Sequence, residues 1–224
     1  MPSLNPGVWF MVVEPFEKYW LDYDAWYDRH RELYYSELMA VELASRGVPR
    51  PWLEIGVGTG RFAAPLRVDV GVDPSDAMLK VAASRGVRVV KARGEELPFQ
   101  DSSFGGVFMI VTLCFLDDPV KALREARRVL TPRGRLVLGF VPADSAWGRH
   151  YAELGRRGHK FYKYARFYTL GEVEGLLEAT GFEPELYIST LIKSKPGSPE
   201  VLEDPVVGFK REAGFVVLRA RKAT

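Results

Sequence analysis

The pattern of apolar and polar positions changes character along the chain. From Phe16 to about Ser45, apolar and aromatic residues recur every three or four positions, the spacing of an amphipathic helix. Gly47-Val48-Pro49 supplies a stop, so this stretch predicts a helix in two pieces behind an irregular lead over residues 1–15. From Trp52 onward short apolar runs take over: Trp52–Ile55, Val68–Val72, Val87–Val90, Val107–Leu113 and Leu136–Val141, with helix-like stretches between them. Further runs at about Glu185–Ile192 and Phe215–Arg219 bring the strands to seven. Strands alternating with helices predict an α/β fold, a mostly parallel seven-stranded sheet with helices on both faces.

Local chemistry marks the helix ends. Ser75 precedes Met78, Leu79 and Ala82, so its hydroxyl can cap a helix running to about Arg85. Asp118-Pro119 places a cap before a proline at the first helical position, where no donor is lost. Thr169 and Glu172 form a capping box, and Gly181 follows that helix. A polar, proline-bearing loop spans Ser194–Ala213, a length that is often functional or mobile. The first crossover is short: about seven residues, Arg61 to Arg67, precede the second strand.

Composition narrows the function. With 47% hydrophobic and 27% charged residues, 224 residues fit one globular domain. A net charge of +2 excludes a charge-driven polyanion binder over the whole surface, though not a local basic patch. One cysteine, Cys114, excludes an intramolecular disulfide framework and fits a reducing, cytoplasmic setting. No apolar run reaches membrane-spanning length, and Met1-Pro2-Ser3-Leu4-Asn5-Pro6-Gly7 lacks the pattern of a secretory signal. No His or carboxylate cluster has metal-ligand spacing, so no metal is expected.

The strongest chemical signal is Glu54-Ile55-Gly56-Val57-Gly58-Thr59-Gly60-Arg61, a strand running into three alternating glycines and a helix start. Glycine allows positive φ and removes the side chain that would hold a ligand off, and the helix N-terminus offers free N–H groups. By itself the loop also fits a tight strand–helix turn. Two acids sharpen it: Glu54 just before the loop, and Asp73 after Val70-Gly71-Val72, where a carboxylate can accept both hydroxyls of a ribose. The dinucleotide fingerprint fails, because Arg61 stands where a third glycine or alanine belongs. A P-loop fails too, because no Gly-Lys-Ser/Thr follows.

These residues resemble the class I S-adenosylmethionine-dependent methyltransferases. Glu54 to Gly60 is similar to their first motif, and Gly71-Val72-Asp73-Pro74-Ser75-x-x-Met78 to their second. Gly94-Glu95-Glu96-Leu97-Pro98-Phe99 with Asp101-x-Ser103-Phe104 is similar to their third. Asp118-Pro119 through Pro132-x-Gly134-Arg135-Leu136 is similar to the helix and fifth strand of the small-molecule subgroup. The resemblance covers about residues 50–142 and implies a Rossmann-like fold with S-adenosyl-L-methionine as cofactor and S-adenosyl-L-homocysteine as product. It implies that Gly56, Gly58 and Gly60 approach the methionine portion, that Glu54 meets the amino group directly or through water, and that Asp73 holds the ribose diol. Pro74 and Met78 would lie against the adenine, Gly94 and Glu95 at its edge, and Thr112 would line the cleft. The chain departs from the pattern at Arg93, where many relatives have an acid, at Cys114-Phe115, where many have a His pair, and in its short first crossover.

The resulting organisation is one domain over 1–224: a helical lid over 1–48, a cofactor-binding half over 49–142, a cap insertion over 143–168 and a substrate-side half over 169–224. Tyr19, Tyr23, Trp26, His30 and Tyr34 share a helical face that either roofs the cofactor or simply packs the helix. The segment from Asp144 to Tyr168 is aromatic and carries six Lys/Arg against Glu153 between Arg149 and Arg166. Such a cap suits an anionic or aromatic small molecule, or an RNA strand. The expected function is methyl transfer to a small-molecule acceptor by in-line displacement. An RNA or protein methyltransferase and a catalytically inactive binding protein remain open. His150, then His30, are the candidate bases where the nucleophile carries a proton.

Overall fold

A computed structural model describes residues 9–223. The first eight residues, which hold most of the expected irregular lead and the segment without a secretory pattern, lie outside them. The strands β1 (Trp52–Ile55), β2 (Val70–Asp73), β3 (Val89–Lys91), β4 (Phe104–Ile110), β5 (Leu130–Phe140), β6 (Phe182–Thr190), β7 (Val206–Val207) and β8 (Phe215–Lys222) form one sheet in the order 3-2-1-4-5-8-6-7. The five strands from β3 to β5 run parallel, and β8, β6 and β7 add antiparallel pairings. All seven expected strands are present. The eighth, β7, is two exposed residues between Pro205 and Gly208, too short to show an alternation.

Around the sheet lie α1 (Trp9–Lys18), α2 (Trp20–Arg29), α3 (Arg31–Ser45), α4 (Ala63–Leu66), α5 (Asp76–Ser84), α6 (Pro119–Val129), α7 (Ala146–Arg156) and α8 (Leu170–Ala179). Two expectations are corrected. The lead is helical from Trp9 onward, with Pro15 inside α1. The region after it breaks twice, at Tyr19 and His30, whose backbones leave the helical region without side-chain caps. The other signals act where the sequence places them: Ser75 accepts from the Met78 N–H, Asp118 from the Lys121 N–H, and Thr169 and Glu172 form a reciprocal capping box. The short first crossover is the single turn α4.

Strand alternation divides the core into two layers. Along β4, Val107 and Met109 join one layer and Phe108 and Ile110 the other. The first layer is closed by Leu123 and Val129 of α6 with Val173 and Leu177 of α8. The second is closed by Leu33, Ala40, Val41 and Ala44 of α3 and by Leu79 and Ala82 of α5. Each fully buried leucine contributes about 1.5–3 kcal/mol through the apolar surface it removes from water. Among the described residues no helix is long and apolar enough to cross a membrane.

The strand order reverses between β1 and β4. At such a switch point the strand ends open a crevice at their carboxyl edge. The glycine loop after β1 and the turn after β4 meet there.

Candidate active site

The loop after β1 folds against the end of β2. Gly56 N–H and Val57 N–H both donate to the Val72 carbonyl at 2.9 Å, and Gly58 N–H donates to Asp73 Oδ2 at 3.0 Å. Gly56 has φ +71°, and a Cβ there would lie 2.4 Å from Thr112 Cγ2, so only glycine fits. Asp73 Oδ1 accepts from the Ser75 N–H at 2.9 Å. Burial pushes the Asp73 carboxyl up to about 6, against the pull of the Ser75 and Gly58 donors. Glu54 is 2% exposed and its Oε2 has no hydrogen-bond partner among the described residues. Burial, and then the nearby Asp73 charge, raise its pKa well above the usual carboxylate range.

Two cavities open from this edge. The first is lined by Gly56, Gly58, Asp73, Pro74, Met78, Gly94, Glu95 and Thr112, and is covered by Val13, Phe16 and Tyr23 of α1 and α2. Two expected cofactor residues do not line it. Glu54 lies beneath, its unpaired oxygen buried. Gly60 turns away: a Cβ there would meet Ala82 at 3.2 Å, so this glycine lets α5 approach the loop. Within the wall, Glu95 is 4% exposed, and its Oε1 accepts from the Asp117 and Asp118 N–H groups at 3.1 and 3.4 Å. Arg93, the departure from the family pattern, pairs with Asp117 and lies 3.5 Å from Glu95 Oε2. The Thr112 hydroxyl donates to the Ile110 carbonyl at 3.1 Å.

The second cavity, about 410 Å³, lies under α2, α3 and α7. Trp26, Tyr27, Trp147, Tyr151, Tyr162 and Phe167 supply its aromatic walls, and all three histidines line it. Tyr23, Val111 and Phe115 line both cavities and mark where they meet. Phe16 stacks on Phe161 at 5.2 Å and meets Phe115 and Tyr23 edge-on at 5.0 and 5.6 Å, closing the seam between lid and insertion. Neither His150 nor His30 reaches the first cavity. His150 is exposed at the rim beside Trp147 and Tyr151. His30 pairs through Nδ1 with Glu200, and His159 stacks on Tyr162 at 4.6 Å, its pKa lowered by burial and then by Lys160.

Helix α2 is tied to the glycine loop by charge. Arg61 donates to both Asp24 oxygens at 2.9 and 2.7 Å and to Asp28, and Arg85 grips the same Asp24 at 2.8 Å. Burial raises the Asp24 pKa, but the Arg85 and Arg61 bonds outweigh it and hold the carboxyl well below its usual range. The 194–213 loop is also anchored. Glu203 accepts from the N–H groups of Ile192, Lys193 and Ser194, and Ser194 in turn accepts from the Trp147 indole at 2.9 Å.

Sequence reasoning gave no site role to Phe16, Tyr27, Phe115 and Glu37. Glu37 is 5% exposed on the buried face of α3 and lines the second cavity. The signal was there: Leu33, Ala40 and Val41 bracket it at i−4, i+3 and i+4, an acid inside an apolar stripe. Among the described residues no cluster of three or more His, Cys, Asp or Glu side chains could hold a metal ion.

Comparisons with known proteins bear on the family. A family model described as a methyltransferase domain matches residues 53–138. A Thermotoga maritima S-adenosylmethionine-dependent methyltransferase, described as a possible histamine N-methyltransferase, is 40% identical; the match covers 94% of this chain and 99% of that one, with a TM-score of 0.87. An uncharacterized protein of Methanocaldococcus jannaschii is 40% identical over 92% of this chain and 98% of its own length. A ubiquinone/menaquinone biosynthesis C-methyltransferase of Idiomarina loihiensis is 39% identical over 42% of this chain and 44% of its own. The chain belongs to the class I S-adenosylmethionine-dependent methyltransferase family.

Proposed function

We propose that the first cavity holds S-adenosylmethionine and that the aromatic chamber beside it holds a small-molecule methyl acceptor. The residues fit the cofactor: Glu54 Oε2 is a buried acceptor without a partner, and the glycine at 56 leaves space no side chain could share. In this reading Glu54 meets the amino group, directly or through water, and Gly56 and Gly58 line the methionine portion. Asp73 accepts the ribose hydroxyls, Pro74 and Met78 pack on the adenine, and Gly94 and Glu95 border its edge. Gly60 serves by setting the loop, and Thr112 by closing its floor. When bound, the cofactor supplies an activated methyl carbon on a sulfonium.

The observation that carries the reading is the shared wall of Tyr23, Val111 and Phe115. Transfer needs an acceptor atom in line with the methyl and shielded from water, and two cavities meeting at aromatic and aliphatic side chains supply that arrangement. Tyr23 and Phe115 also offer ring surface suited to a sulfonium. Of the two candidate bases, His30 has the better support. With Glu200 on Nδ1, its Nε2 is left as the proton acceptor, whereas His150 sits at the rim.

A small acceptor is favoured over RNA because four of the six basic residues of the insertion already face carboxylates within the fold. Arg156 and Arg157 pair with Glu153, Lys160 with Asp22, and Arg166 lies 3.7 Å from Glu172. Calorimetry with S-adenosylmethionine and S-adenosylhomocysteine, with NAD as control, tests the cofactor half. Methyl transfer from labelled cofactor to a panel of phenols, quinols and amines, histamine among them, tests the acceptor half. Tighter binding of NAD than of either sulfur nucleoside would overturn the proposal.

A further inference from the structure

Glu37 is a carboxyl for which the proposed chemistry has no use. It lies in the buried face of α3 at 5% exposure and lines the acceptor chamber. Its neighbour Ser36 is bonded twice, to the Glu32 carbonyl and from the Glu203 N–H. Glu37 has no hydrogen-bond or ion-pair partner among the described residues, and burial alone lifts its carboxyl to about 8. A buried acid without a partner opposes folding. A cation entering the chamber would relieve that penalty.

The surroundings define the kind of cation. Tyr27, Tyr151 and Tyr162 are close enough to feel the Glu37 charge, and burial raises all three phenols, so they stay neutral. The other acids lining or bordering the chamber are engaged: Asp22 with Lys160, Glu200 with His30. Trp147 and Tyr151 add ring faces that attract an ammonium and cover an apolar body. We propose that the acceptor is a small organic molecule carrying a protonated amine, with the ammonium against the Glu37 carboxylate and the apolar body against Trp147 and Tyr151. This rests on the reading of the chamber as the acceptor site.

Docking of an ammonium ionises Glu37, so binding releases a proton near neutral pH. His30, His150 and His159 line the same chamber, and Glu37→Gln is the subtraction that isolates the Glu37 proton from theirs. The experiment is calorimetry at pH 7 in phosphate and in Tris, with and without saturating S-adenosylhomocysteine. The probe is 2-phenylethylamine, with 2-phenylethanol and 3-phenylpropanoate as its neutral and anionic matches. Expected is at least tenfold tighter binding of the amine than of either match, with release of about 0.9 proton per amine. In Glu37→Gln the preference falls to the level of the alcohol and the release disappears, while S-adenosylhomocysteine binds within twofold of wild type. An amine that binds no better than the alcohol, or a proton release equal in wild type and Glu37→Gln, overturns the proposal. Should Glu37→Gln not fold, the wild-type preference for the amine over the alcohol and the carboxylate decides. Failure of S-adenosylhomocysteine to bind would instead overturn the cofactor reading, and the titrations without it would still decide this one.

Discussion

Glu37→Gln is expected to stabilise the ligand-free protein, increasingly so as pH rises. The carboxyl lies at about 8 in the fold against an ordinary value of 4.5. The folded chain therefore keeps a proton that the unfolded chain releases. Stability from this group is fully present below about 4.5 and is lost as pH climbs through 8. Each pH unit well between those values removes about 1.4 kcal/mol, so from pH 5 to pH 8, with both ends rounded by the titrations, the penalty grows by about 3.5 kcal/mol. Glutamine keeps the shape and takes no part in the titration. The difference in Tm between variant and wild type should therefore widen by roughly 7–14 °C over that range for a chain of this size. Differential scanning fluorimetry at half-unit pH steps reads it directly. The histidines and the other acids titrate in both proteins and cancel in the difference. A Tm difference that stays flat across pH, or a variant that is less stable throughout, would refute the argument that Glu37 is buried without a partner.

Four further outcomes follow from the glycine loop and Asp73. Asp73→Ala should weaken S-adenosylhomocysteine binding at least 100-fold, since two hydrogen bonds to a charged group are worth about 1.5–3 kcal/mol each; calorimetry reads the loss. Because burial raises Asp73 to about 6, wild-type binding should weaken as pH falls through 6, and Asp73→Asn should erase that dependence. Gly56→Ala places a Cβ 2.4 Å from Thr112 at φ +71°, so roughly 2–5 kcal/mol of strain and overlap should appear as a lower Tm and lost cofactor binding; unchanged binding would show that the loop has room to spare. Arg61→Ala frees Asp28 but leaves Asp24 on Arg85, so a loss of about 1–3 kcal/mol should come with faster hydrogen exchange across α2, and unchanged exchange there would mean that packing alone holds the lid.

The cofactor edge was legible because its chemistry is local. Glu54, the glycines and Asp73 lie on contiguous segments whose strand–turn–helix pattern fixes where they go, and the caps at Ser75, Asp118 and Thr169 fix the helices behind them. Where the reading slipped, a local signal had two meanings. Gly60 reads as a ligand glycine, and the same lack of a side chain admits Ala82 of α5. The chamber was half legible. Its aromatics stand out in the helical lead and in residues 144–168, but their meeting is tertiary. So are the pairing of His30 with Glu200, 170 residues on, and the bond from Trp147 to Ser194 in the 194–213 loop. That loop read as polar and proline-bearing, of a length often functional or mobile, and no periodicity reveals that Glu203 gathers three backbone donors there.

One helix serves both cavities, and this couples the two halves of the site. α2 places Tyr23 in the shared wall and Trp26 and Tyr27 in the chamber, with the Tyr23 and Tyr27 hydroxyls 2.9 Å apart. Asp24 on the same helix is held by Arg61, which follows the glycine loop, and by Arg85, which also reaches the Thr59 carbonyl at 2.6 Å. A displacement of that loop therefore moves the roof of one cavity and the wall of the other together. Arg61, the residue that spoils the dinucleotide fingerprint, is what makes this coupling stiff, because its planar fork engages two carboxylates of α2 at once. On the proposed reading, a ligand that fixes the glycine loop would also fix the wall of the second cavity, and ordered binding, cofactor before acceptor, is the outcome that product-inhibition kinetics would read.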